Sequence, residues 1–158
     1  MKRYKKILVP YDDSKLSKLA FEQALSLASM VKGEVTVIHV METSLYEQLT
    51  FETTEVISVL NTLVDENKGR IESMLKDLVE QGKKEDVKVD YLIKDGNVAS
   101  EIIVASSNFD LIIMGTLGQS ALDSLLLGSK AEKVARHACC PVMLVREQNL
   151  TRKNNIER

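Results

Sequence analysis

Five short apolar runs punctuate this chain, and four of them, "KKILVPY", "EVTVIHV", "DLIIMG" and "CPVMLV", are nearly unbroken. A strand with one wet face alternates apolar and polar residues. A strand without that alternation is covered on both faces, as in a parallel sheet flanked by helices. The remaining run differs. In "VKVDYLI" and the lysine after it, Val87, Val89, Tyr91 and Ile93 alternate with Lys88, Asp90, Leu92 and Lys94. This is the pattern of a half-covered edge strand.

The segments between the runs have helical period. Ser14 can cap a helix whose apolar face carries Leu16, Ala20, Ala24, Leu27, Ala28 and Val31 and which stops at Gly33. A longer helix is predicted from Thr54 to Gln81, on Val56, Leu60, Leu63, Val64, Ile71, Met74, Leu75 and Leu78, its period interrupted around Asn67 to Gly69. Asn97 can cap a third, "VASEIIVASSN". Ser129, with Glu132 three residues on, has capping-box spacing for a fourth, which Pro141 ends. The order βαβαβαβαβ predicts an α/β fold, an open, doubly wound, parallel five-stranded sheet with helices on both faces. Met41 to Thr53 lacks a period and reads as a surface loop. Residues 148–158 read as a polar tail beyond one domain spanning residues 1–147.

Composition removes several classes of function. A formal charge of −2, from 21 basic and 23 acidic residues, leaves no electrostatic footprint for nucleic acid. No stretch approaches the ~20 apolar residues of a membrane span, and the opening "MKRYKKILVPYDDSK" is too short in apolar residues for a signal peptide. Cys139 and Cys140 are adjacent, poor geometry for a disulfide and the wrong spacing for zinc or C-x-x-C chemistry. The expected setting is a reducing cytoplasm.

Glycine is scarce, 7 of 158 residues, yet Gly115, Gly118 and Gly128 fall close together in "DLIIMGTLGQSALDSLLLGSK". In such a sheet, ligands bind beyond the carboxyl ends of the strands, where strand order reverses. Gly115 ends a strand there and Gly128-Ser129 opens a helix, whose N-terminus offers free N–H groups and roughly half a positive charge to a phosphate. Singly, these residues are better explained as turn glycines and a helix cap. The P-loop pattern and G-x-G-x-x-G are both absent.

Taken together, G-x-x-G, nine residues and then G-S resembles the nucleotide-binding signature of the universal stress protein family. "KKILVPYDDSKLSKLAFEQAL" resembles that family's first strand, acidic turn and first helix, "VTVIHV" its second strand, "DLIIMGTLG" its fourth, and "LLLGSKAEKVARHACCPVMLVR" its closing helix and strand. The resemblance spans about Lys5 to Arg146. It implies a Rossmann-like sheet of strand order 3-2-1-4-5 and a site for ATP, with Mg2+ or Mn2+ as the candidate ion on the phosphates. By position it places Pro10 and Asp12 beside the nucleoside and gives adenine to the backbone of Val40. Met114, Gly115 and Gly118 then line ribose and phosphates, and Gly128 and Ser129 meet the triphosphate end. Lys130 stands where the family usually has a small or apolar residue; it either reaches a phosphate or extends into solvent. Thr116 and Leu117 stand where polar or basic residues are common, so one phosphate contact is in doubt.

No catalytic residue is assigned. Asp12 and Asp13 follow a strand and point apart, one as ligand contact and one as turn or cap residue. His39 reads as a satisfied core histidine, and His137 as a charge facing the negative end of its helix. Neither has a serine or cysteine partner, and no metal cluster is spaced for binding. The expected function is an ATP-binding stress-response regulator, a nucleotide-dependent switch or chaperone-like module with an unidentified protein partner. The alternatives are a stress-protein dimer that binds no nucleotide, or a slow ATP hydrolase. The apolar last strand, Pro141 to Val145, lies at an edge in that order and is expected to be covered by a second copy, the alternative being cover by the chain's own loop, Met41 to Thr53.

Overall fold

The structure is a computed structural model that describes residues 4–42, 54–116 and 127–146. The elements in chain order are β1 (Lys6–Pro10), α1 (Lys15–Val31), β2 (Glu34–Met41), α2 (Thr54–Lys84), β3 (Lys88–Asp95), α3 (Val98–Ala105), a 3-10 turn (Ser106–Asn108), β4 (Leu111–Gly115), α4 (Ser129–His137) and β5 (Val142–Val145). The five strands are parallel in the order β3-β2-β1-β4-β5, with β3 at one edge, as its alternation predicts. Of the expected surface loop, Met41 belongs to β2, where it pairs with Asp95. Residues 43–53 and the tail 148–158 lie outside the described residues.

Three of the four unbroken apolar runs, β1, β2 and β4, are buried from both sides; β5, at the sheet edge, departs from that expectation and leaves Met143 and Leu144 exposed. Ile7, Val9, Val35, Val37, Leu111 and Ile113 meet Ala20, Phe21, Ala24, Leu25 and Ala28 of α1 and Ile71, Leu75 and Leu78 of α2. On the opposite face Leu8, Ile38, Ile112 and Met114 meet Ala99 and Ile102 of α3 and Ala131 and Val134 of α4. Phe21 and Leu25 join the face of α1 predicted from its alanines.

Ser14 caps α1, its Oγ accepting the Ser17 N–H at 3.2 Å, and Asn97 caps α3, its Oδ1 accepting the Ser100 N–H at 3.1 Å. The end of α1 departs from expectation. The left-handed residue is Lys32 (φ 53°), whose N–H turns back to the carbonyls of Ala28 and Ser29. Gly33 is needed for space instead, because a Cβ there would stand 2.7 Å from the Lys5 carbonyl oxygen. The helix α2 runs on through the interrupted period at Asn67 to Gly69, as predicted, and is continuous for 31 residues, three beyond Gln81. At about 1.5 Å per residue it is about 46 Å long, far longer than the eight-residue β3 it packs on. Only its far end, Ile71, Leu75, Leu78 and Gly82, is buried. Val56, Leu60, Leu63 and Val64 keep the helical period without entering the core. Gly82 seats that end on the sheet, since a Cβ there would run into the Val89 side chain.

Two polar clips fix the starts of strands. Asp110 Oδ2 accepts the N–H groups of both Lys5 and Lys6 at 3.0 Å, tying the entry of β1 to that of β4. Ser106 is fully buried; its Oγ donates to the Ile103 carbonyl at 2.6 Å and accepts the Cys139 N–H at 2.9 Å. It joins the end of α3 to the turn that enters β5. Alanine at Ser106 leaves the Cys139 N–H without this acceptor, so Ser106→Ala is expected to lower stability by about 1–3 kcal/mol, read as a shift of the urea midpoint at constant slope.

Candidate functional site

The chain diverges above β1. It leaves β1 for α1 and β2 on one side, and β4 on the other side leads to α4. A cleft of about 540 Å³ opens between them at the carboxyl ends of the strands, within the ~300–1,000 Å³ range of small-molecule sites. Pro10, Asp12, Val40, Met114, Gly115, Gly128, Ser129 and Lys130 all line it. The ninth sequence-predicted site residue, Gly118, lies outside the described residues, as does Leu117. Tyr11, His39 and Glu42, to which sequence reasoning gave no place in the site, also line the cleft, as does Thr116 between the first two glycines.

The two aspartates after β1 do different work. Asp12 lines the cleft, and its Oδ1 accepts the Ser14 N–H at 3.1 Å, a short turn that sets up the cap of α1. Asp13 takes a left-handed backbone (φ 65°) and pairs with Lys18 at 2.9 Å. Tyr11, 6% exposed, packs edge-on against Phe21 and donates its hydroxyl to Asp13 at 3.5 Å. Burial pushes the Tyr11 phenol up to about 12, and the carboxylates of Asp13 and Asp12 add to the effect. His39 is half-buried, with Nδ1 2.8 Å from the Tyr11 carbonyl oxygen. A carbonyl only accepts, so Nδ1 carries a proton. The ring is satisfied as the sequence suggests, but it belongs to the cleft wall.

The opposite wall is the start of α4. The cap is Gly128, not Ser129, and no side chain caps the helix. Ser129 is the first helical residue, so its hydroxyl and Glu132 form no capping box. The Glu132 N–H donates to the Gly128 carbonyl at 2.9 Å, and the Glu132 carboxylate pairs with Arg136 at 3.0 Å. The Gly128 N–H donates to the Thr116 carbonyl at 2.8 Å, and the Thr116 N–H to the Val145 carbonyl at 3.0 Å, holding the helix start against the ends of β4 and β5. An N-terminus without a side-chain cap, facing a cleft, presents amide donors and positive dipole to an anion. Lys130 neither points freely into solvent nor stands alone. Its Nζ lies 3.2 Å from Oε1 and 3.3 Å from Oε2 of Glu42, just past β2 on the other side of the cleft. Among the described residues no three His, Cys, Asp or Glu side chains gather as a metal site, and no helix is long and apolar enough to cross a membrane.

The profile of the Universal stress protein family matches residues 3–146 of this chain. Universal stress protein MJ0531 of Methanocaldococcus jannaschii is 36% identical over 147 residues, covering 91% of this chain and 83% of the relative. Among solved structures, universal stress protein UspA from Lactobacillus plantarum superposes with a TM-score of 0.80 at 25% identity, over 92% of this chain and all of the other. A universal stress protein family protein from Arabidopsis thaliana with AMP bound has the same fold, with a TM-score of 0.64 at 19% identity, over 92% of this chain and 93% of that one.

The Tyr11 phenol provides a check on the packing of this wall. Its folded value exceeds the ordinary value near 10, so folding favours the neutral phenol. That contribution is full below about pH 10 and is lost as pH rises through about 12. In an alkaline titration followed by ultraviolet phenolate absorbance, a step near pH 12 is expected in the wild type and absent in Tyr11→Phe.

Proposed function

The chain belongs to the universal stress protein family, and from that premise we propose that it binds an adenine nucleotide, ATP above all, in the cleft over β1, β2 and β4. The observation that carries this reading is the start of α4. Gly128 leaves the helix without a side-chain cap, and Ser129, Lys130 and Ala131 line the cleft directly behind it. Phosphate oxygens suit that place because they accept several amide hydrogens and carry the charge the helix end favours. The AMP of the Arabidopsis relative supports an adenine nucleotide as the ligand class.

In this reading Pro10 and Asp12 border the nucleoside, the Val40 backbone receives adenine, and Met114, Gly115 and Gly118 follow ribose and phosphates. Gly128, Ser129 and Lys130 take the terminal phosphates. A divalent ion, Mg2+ or Mn2+, belongs on the phosphates rather than in a protein cage, since Mg2+ commonly binds through one or two carboxylates plus phosphate oxygens. Asp12, which lines the cleft, is the carboxylate for that ion, since Glu42 is held by Lys130. No residue is assigned to catalysis. Nucleotide binding then acts by favouring one conformation over another and so changing partner choice, the basis of a stress-response switch. Nucleotide released by denaturing the purified protein and identified by chromatography tests the ligand directly. Gly118→Val is expected to weaken ATP binding by more than about tenfold, or about 1.4 kcal/mol, by filling space the phosphates need. Unchanged affinity in a folded variant removes this site assignment.

We propose also that two copies pair through β5. Val142 and Val145 pack against the two cores, whereas Met143 and Leu144 are 44% and 36% exposed on an edge strand. An open apolar edge invites pairing, and two copies of one strand about a two-fold axis satisfy it. Sedimentation at micromolar concentration should report twice the 17.7 kDa of the chain. Met143→Lys, which places charge on that edge without touching the core, should return it to a monomer.

A further inference from the structure

Glu42 and Lys130 stand 88 positions apart in sequence and meet across the mouth of the cleft, both carboxylate oxygens lying within 3.3 Å of the ammonium. Glu42 follows β2, at the end of the wall assigned to adenine, and Lys130 is the second residue of α4, at the end assigned to phosphate. The pair therefore ties the two walls of the cleft together. Both side chains are about half exposed, 48% and 55%. A pair so wet holds its partners by no more than about fivefold, and a group with more negative charge displaces the carboxylate.

We infer that Glu42 is a charge gate for this site, a residue that makes affinity depend on how many phosphates the ligand carries. The inference rests on the nucleotide reading above. A terminal phosphate arriving at the start of α4 meets an ammonium already neutralised by Glu42. It must take Lys130 from that carboxylate, and once it has done so the freed Glu42 is a like charge nearby. A ligand without phosphate, which never approaches Lys130, meets neither cost. Glu42 thus subtracts from ATP affinity and leaves adenosine affinity alone. Phosphate binding, in turn, unties the end of β2 from α4. The gate requires only one bond to be exchanged for another, with no covalent step.

Calorimetric titration of ATP and adenosine into the wild type, Glu42→Gln, Lys130→Ala and the double variant tests this. Glu42→Gln keeps the size of the side chain and removes its charge. It is expected to raise the ratio of ATP to adenosine affinity by about two- to fivefold, with adenosine unchanged, and Lys130→Ala to lower that ratio. In the Lys130→Ala background the gain from Glu42→Gln should shrink, because there is no ammonium left to release. An unchanged ratio in Glu42→Gln overturns the gate while leaving the nucleotide site standing. An equal gain with and without Lys130 also overturns it, since Glu42 would then act by repulsion alone. Binding of neither ligand to the wild type overturns the nucleotide reading and the gate with it. Both residues lie on the surface, and equal melting temperatures across the four proteins confirm that the fold is common to all.

Discussion

The site depends on the enclosure of β1. This strand has a hydrogen-bonded neighbour on each side and helices over each face, so Ile7, Leu8 and Val9 are sealed from water entirely. Each flanking crossover is right-handed in such folds, so the chain leaving β1 winds over one face, and the chain reaching β4 returns over the other. Above β1 the two windings part, and no element can fill the gap. The cleft is a consequence of that parting. The polar residues around it, from Asp12 to Ser129, are placed by strands whose own burial fixes their length and register.

The sheet was legible because parallel strands covered on both faces leave unbroken apolar runs, and because β3, with one neighbour, alternates. The caps at Ser14 and Asn97 were legible for a local reason: a side-chain oxygen reaches an amide three residues on, within one turn. The same reasoning failed at Ser129, where glycine one position earlier took the cap. That preference depends on how the turn from β4 approaches, which Thr116 and Gly128 settle together through a bond no short window of sequence contains. Gly33 was read as a stop signal, yet the demand on it comes from the Lys5 carbonyl, just before β1. The extent of α2 was legible to within three residues, but its burial was not, because its period says where an apolar face lies and not whether anything covers it.

The site itself was legible in its backbone and less so in its charges. Glycine spacing pointed to Gly115, Gly128 and Ser129 and the family resemblance to Asp12 and Val40, and all five, far apart in sequence, line one cleft. The partner of Lys130 was out of reach, since Glu42 is an ordinary charge at a strand end until the fold sets it opposite. The same holds for His39, whose Nδ1 proton is held by a carbonyl 28 positions away, and for Ser106, whose bond to Cys139 crosses from one helix end to another turn.

The two edges of the sheet are unlike. Along β3 Lys88 lies between the carboxylates of Glu34 and Asp90, at 3.0 and 3.1 Å, and Lys94 stays exposed. Along β5 the exposed side chains are Met143 and Leu144. Joining the β5 of one copy to the β3 of another would set apolar groups against hydrated charge, and each such joint would leave a further edge open for growth. Joining β5 to β5 uses up both apolar edges and leaves charged margins at either end of a continuous ten-stranded sheet, twice the five strands of one chain. In the proposed pairing the difference between the edges therefore acts as a terminator: it would close the assembly at two copies rather than let it propagate into a fibre.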